Sequence, residues 1–138
     1  MSFDPENWLP VAEICCSSIP GVSREALLRT ALNRAYYAAL MALKQRIESA
    51  QGAGAVPDRG THEALRQAVF AGGAGFTEIR DELKALRSAR EEADYELGTA
   101  ELERNTVHRF VQRSRRLIRN RIKALPEAEF RRLRVPRG

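Results

Sequence analysis

The chain has 138 residues, 43% of them hydrophobic and 30% charged, which sets the expectation of one soluble globular domain with a modest core. No run of about 18 apolar residues occurs, and the N-terminal stretch lacks a basic segment followed by an apolar one, so neither a membrane span nor a secretory signal is expected and a cytoplasmic location is. The net charge of +5 is unevenly spread: Arg104 to Gly138 holds 12 basic and 2 acidic residues, a balance of +10, against 11 basic and 16 acidic before it, a balance of −5. That asymmetry points to an anionic partner, nucleic acid first, or to a subunit docking through the acidic half.

Helical periodicity runs through the chain, and no convincing strand does. Asp4 before Pro5 reads as an N-cap and first-turn proline, opening a short helix through Trp8, Val11, Ala12 and Cys15 that must end before Pro20. Cys15 and Cys16 read as small core residues, because a mutual disulfide would be strained and no further thiol exists to complete a metal site. Ser23 is placed to cap a long second helix with the inward stripe Leu28, Leu32, Tyr36, Ala39, Leu43 and Ile47. Residues 49–60, rich in Ser, Ala, Gly and Pro, read as a flexible connection. Thr61 then caps a brief helix carrying Leu65, Ala68 and Val69, which Gly72, Gly73 and Gly75 break. Thr77 starts a helix to about Leu97, where Gly98 and Thr99 supply a stop and a new cap. The last long helix puts Val107, Phe110, Val111, Leu117, Ile118, Ile122 and Leu125 on its apolar face, with Arg109, Arg113, Arg116 and Lys123 outside, and Pro126 ends it. Residues 1–125 are thus predicted to form an all-α, antiparallel bundle of four main helices and one or two short ones. Residues 126–138 read as a basic tail with a frayed end.

The helix starting at Thr77 breaks a local rule. Its inward stripe is Ile79, Leu83, Leu86, Arg90, Ala93 and Leu97, so a guanidinium falls where a core side chain belongs. Burying an unpaired charge costs several kcal/mol, roughly, so Arg90 is expected either to pair with Asp94 one turn on or to face a cleft or partner subunit. Arg87, Arg90, Asp94 and Tyr95 together offer donors, a carboxylate and a phenol at one helix end, a set suited to phosphate; an intrahelical salt bridge is the plainer reading. His62 either orders the first turn of its helix or reaches the Arg90 cleft and supplies an imidazole. His108, with Arg104 and Asn105, is a second candidate for chemistry; it shares a face with Arg104 that continues through Arg115 and Arg119, and its plainer reading is a groove or surface residue. Tyr36 reads as core, while Tyr37 and Arg34 lie off its stripe, open to Asp94 or a second subunit. A Gly-rich phosphate loop, a metal-ligand cluster, and a Ser or Cys beside a base are all lacking, so no metal or cofactor is called for.

Arg29 to Leu43, with Asn33, Arg34, Ala35, Tyr36, Tyr37 and Ala38, resembles the second-helix signature of the HEPN family. His62 and then Leu86, Arg87, Arg90, Ala93, Asp94 and Tyr95 follow in the order of one prokaryotic branch, Leu-Arg-x-x-Arg-x-x-Ala-Asp-Tyr. The resemblance covers roughly residues 7–125. It implies a helical bundle that dimerises so that two copies of the last motif share one cleft. It also implies metal-independent ribonuclease activity of a toxin-antitoxin or defence kind, in which Arg holds the scissile phosphate and His moves the ribose 2′-hydroxyl proton. In this chain Tyr95, preceded by Asp94, stands where that His would be. A phenol near pKa 10 and an ionised Asp are not tuned to neutral pH as an imidazole is. The expected chemical site is therefore Arg90, Asp94, Tyr95 and His62, with Arg87, Arg34, Arg109, Arg113 and Arg116 on RNA phosphates. The alternatives are a non-catalytic module that binds RNA or nucleotide, and a partner protein, for example of a nucleotidyltransferase-type antitoxin.

Overall fold

The computed structural model describes residues 3–95, Tyr95 by its backbone alone, and residues 103–137. Among them are six α-helices and no strand: α1 (Trp8–Cys15), α2 (Arg24–Gln51), α3 (Thr61–Phe70), α4 (Thr77–Tyr95), α5 (Arg104–Leu117) and α6 (Glu127–Arg132). Two of the expected caps form: Asp4 accepts from the Glu6 amide at 3.0 Å, and Ser23 accepts from the Ala26 amide at 3.3 Å. Gly98 and Thr99, read as a stop and a cap, and Leu97 lie outside the described residues. No described helix is long and apolar enough to cross a membrane.

The architecture is built around α2, which touches all five other helices. Its expected stripe is buried throughout, but so are Leu27, Ala31, Ala35, Ala38, Leu40 and Ala42, so burial extends well beyond one face. The alanines explain how: without bulk at these positions, neighbouring helices can approach from several directions. At one such approach the Ser114 hydroxyl of α5, the one buried polar side chain among the described residues, donates to the Ala35 carbonyl at 2.7 Å. Leu28, Leu40, Leu43 and Ile47 are at most 1% exposed, and burying each contributes about 1.5–3 kcal/mol.

Three local expectations are corrected. Thr61 does not cap α3: the cap position is Gly60, whose left-handed backbone (φ 68°) a glycine adopts without steric cost, and the Thr61 hydroxyl instead donates back to the Pro57 and Asp58 carbonyls. The last long helix is not regular to Pro126, since Ile118–Ile122 forms a π-helical turn in which the Lys123 amide reaches the Ile118 carbonyl at 2.8 Å.

The third correction concerns the segment after Pro126, which belongs to the same core as the rest. Phe130 is fully buried with its ring edge-on to Phe76 at 5.4 Å, and Leu133 is buried beside it. The C-terminal end of α2 fastens it there. Gln51 donates to the carbonyls of Phe130 and Leu133 at 2.8 and 2.7 Å, while Arg46 donates to the Leu125 carbonyl and lays its guanidinium 4.8 Å from the Phe130 ring. These bonds occupy the carbonyl of Leu125 ahead of α6 and those of Phe130 and Leu133 at its C-terminal end, which the short helix leaves without a full set of internal partners.

Phe130→Ala is expected to cost about 3–5 kcal/mol, whereas Phe70→Ala, at a position 73% exposed, should change stability by no more than about 0.5 kcal/mol. Urea unfolding of the two variants beside the parent chain measures both.

Candidate functional site

The Thr61 back-bonds fold residues 57–60 over the start of α3, which sets His62 and, one turn on, Arg66 on the side that faces α4. The short turn through Gly72 and Gly73 then reverses the chain, so α3 and α4 lie against each other with Tyr36 of α2 beneath. Gly72 is required at this reversal, because a Cβ there would meet the Phe76 and Leu133 side chains at 2.8–2.9 Å. Between the helices is an open cleft of about 500 Å³ lined by Tyr36, His62, Arg66, Arg87 and Arg90, with Asp58 and Glu63 at its edge. Its size is that of a small-ligand site.

Arg90 keeps its place in the inward stripe of α4 without the partner expected for it. Asp94 is exposed and makes no ion pair with Arg90; the intrahelical bridge of this region joins Arg87 to Glu91 at 2.9 Å. The Arg90 guanidinium instead lies 4.8 Å from the Tyr36 ring centroid and 5.8 Å from that of Tyr37. A cation on an aromatic face recovers about 0.5–2 kcal/mol of the lost solvation. It leaves the Nε–H unsatisfied: Arg90 Nε is buried with no hydrogen-bond partner.

His62 packs edge-on to the same two rings, at 5.0 Å from Tyr37 and 6.2 Å from Tyr36. Burial, and after it the positive charge of Arg90, holds its imidazole below the ordinary histidine value of 6.5. Burial pushes the Tyr36 phenol up, with Arg90, Arg87 and Arg66 acting against the rise. The cleft therefore combines a neutral imidazole near pH 7, a phenol that keeps its proton, and three guanidinium groups.

Of the residues singled out in the sequence, His62, Arg87 and Arg90 are brought together, and Tyr37 joins them through His62. Asp94 is exposed at the end of α4, and the Tyr95 side chain lies outside the described residues. Arg34 is elsewhere, with its guanidinium 5.7 Å from the Trp8 ring on the α1 side. Arg113 is committed to Glu82 by two hydrogen bonds of 2.9 and 3.0 Å and covers the Phe110 ring at 5.1 Å. The bonds to Glu82 raise its pKa further. Arg109 and Arg116 are exposed on α5 and do not line the cleft. His108 is exposed beside Gln112, and Arg104 bonds the Ser18 hydroxyl.

The basic C-terminal stretch finds much of its anionic partner within the chain. Arg115 pairs with Glu13, Arg119 and Lys123 with Glu6, and Arg121 with Glu78. Arg66 and the inward-facing Tyr36 are cleft residues that the sequence reading did not assign there; the i, i+4 spacing of His62 and Arg66 was the available signal for the first. Among the described residues no group of three or more His, Cys, Asp or Glu is placed to hold a metal ion.

No family model, no curated protein and no solved structure matches this chain.

Because His62 is harder to protonate in the fold than in the unfolded chain, where its value is near 6.5, its effect has a definite sign. It leaves stability untouched at higher pH, and it lowers stability as pH falls through 6.5 toward the depressed folded value. An NMR titration of the imidazole protons should give a His62 midpoint below 6.5 that rises in Arg90→Met, which keeps the bulk and removes the charge.

Proposed function

We propose that the α3–α4 cleft binds an RNA phosphodiester and that His62 and Arg90 act on it, as a metal-independent ribonuclease of HEPN kind. The observation that carries this reading is Arg90 itself: a guanidinium held by two aromatic rings, its Nε–H unpaired, in an open cleft beside an imidazole kept neutral. Arg90 and Arg87 would take the non-bridging phosphate oxygens, since a guanidinium matches two oxygens at once. The neutral His62 accepts the 2′-hydroxyl proton, the 2′-oxygen attacks phosphorus, and Arg90 stabilises the charge that gathers on the phosphorane. The 5′-oxygen leaves and takes a proton from water, giving a 2′,3′-cyclic phosphate and a 5′-hydroxyl, and the imidazolium returns its proton to solvent. His62 thereby fills the role left open where Tyr95 stands in the motif. The HEPN resemblance brings a homodimer and a nucleotidyltransferase-type antitoxin partner into the same proposal.

Binding without turnover is the second reading, and one observation favours it. With the Tyr36 phenol pushed up, the described cleft residues include no second group that gives a proton near neutral pH.

Labelled RNA incubated with the protein in EDTA separates the two. Cleavage to cyclic phosphate ends is expected, with Arg90→Ala slower by roughly 10²-fold or more and His62→Ala also slowed, while Arg113→Ala, whose guanidinium is occupied by Glu82, leaves the rate unchanged. Cleavage that survives Arg90→Ala intact would remove the ribonuclease reading. If RNA binds without cleavage, log affinity should fall against log salt with a slope of about −1.4 for two neutralised phosphates of a single strand.

A further inference from the structure

The cleft does not end at Arg87. A second cavity of about 650 Å³ continues between α3 and α4, sharing Tyr36, Glu63, Arg66 and Arg87 as walls with the first and running to Phe70 and Arg80. His62 and Phe70 are eight residues apart on one helix, so the combined groove is about 12 Å long. That is longer than one phosphate requires.

Its far end is unusual in composition. Phe70, the last residue of α3, is 73% exposed, more than Phe3, Val11, Ile14 or Val22, and takes no part in the core. The Arg80 guanidinium stands 5.8 Å from its ring. Along α4, Arg80, Lys84 and Arg87 recur at four and three residues and so line one side of the groove as a ladder of cations. Arg80 is paired with Asp81 and Arg87 with Glu91, both partly exposed to solvent, where such pairs are worth little. Lys84 has no carboxylate partner among the described residues. The carboxylates on this groove, Glu63 and Asp81, are each bonded to a neighbouring arginine.

An exposed ring at one end of a cationic groove is the arrangement that takes single-stranded nucleic acid, with phosphates following the cations and a base stacking on the aromatic face. A duplex keeps its bases stacked inside and cannot present one to Phe70. We infer that the α3–α4 groove is a base slot in which Phe70 stacks one nucleobase of a single-stranded RNA whose phosphates follow Arg80, Lys84 and Arg87 to the one held at Arg90. This rests on the reading of the cleft as an RNA-phosphate site. It adds that the substrate is a strand of several nucleotides, engaged by its bases with little sequence preference, because every base has a π face.

The test uses the full chain and two fluorescein-labelled tetranucleotides, one of 2′-O-methyl RNA, which cannot be cleaved by 2′-oxygen attack, and one with the same backbone but abasic throughout. Phe70→Ala should weaken the base-bearing strand about tenfold, Phe70→Tyr should stay within about twofold of the parent, and the abasic strand should not distinguish them. Arg90→Ala should weaken both strands. If Phe70→Ala has no effect, or weakens both strands alike, the base slot is overturned while a continuing dependence on Arg90 leaves the phosphate site standing. If the parent chain binds neither strand, the phosphate site falls and the base slot falls with it.

Discussion

Burial of α2 well beyond a single face is the constraint on which the rest of the molecule depends. A helix with alanine at 31, 35, 38, 39 and 42 has little side chain of its own at these positions and must be covered by others, and all five remaining helices contact it. Tyr36 shows how this fixes the cleft. Its ring is held by the core at 1% exposure, yet it forms the floor between α3 and α4, so the surface that carries Arg90 and His62 is built directly on the most tightly packed element.

The same chain handles its many arginines in two ways. Arg113, Arg115, Arg119 and Arg121, on α5 and the turn after it, pair with carboxylates earlier in the chain, which turns part of a lopsided linear charge distribution into internal pairing. A second set lies on aromatic rings: Arg34 on Trp8, Arg46 on Phe130, Arg80 on Phe70, Arg90 on Tyr36, and Arg113 on Phe110. A planar, weakly hydrated guanidinium tolerates such stacking where an ammonium would lose its water. Stacking leaves the in-plane N–H groups of a guanidinium to be satisfied elsewhere: Arg113 gives two hydrogen bonds to Glu82 and Arg80 one to Asp81, whereas the buried Nε–H of Arg90 has no partner.

Much of this was legible in the sequence because it follows from spacing. The stripe of α2, the caps at Asp4 and Ser23, the break at Gly72 and the misplaced charge at Arg90 each follow from a local rule, and each has its counterpart in the fold. The proximity of His62 to Arg90 was one of two readings, since only tertiary packing decides which way the first turn of a short helix faces. The rest escaped for identifiable reasons. Alanine carries too weak a hydrophobic signal to mark additional buried faces, so α2 read as a one-sided helix. Asp94 sat at the right interval to pair with Arg90, but aromatic rings from another helix competed for the guanidinium and spacing cannot register them. Residues 126–138 read as a tail because their charge outweighs a few scattered apolar side chains, although Phe130 and Leu133 are buried in the core. The π-helical turn at Ile118–Ile122 has no signature in composition.

The clasp at the end of α2 has a consequence for how the chain is made. Gln51 and Arg46 hold carbonyls roughly 80 residues further on, bridging sequence separations of 79 and 82. During synthesis α2 is complete long before Leu125, Phe130 and Leu133 exist, and the pocket at Phe76 that Phe130 fills stands open in the meantime. Closure of the core thus waits for the emergence of Leu133, and a chain stalled short of that point presents unfilled apolar surface to the quality-control machinery of its cell.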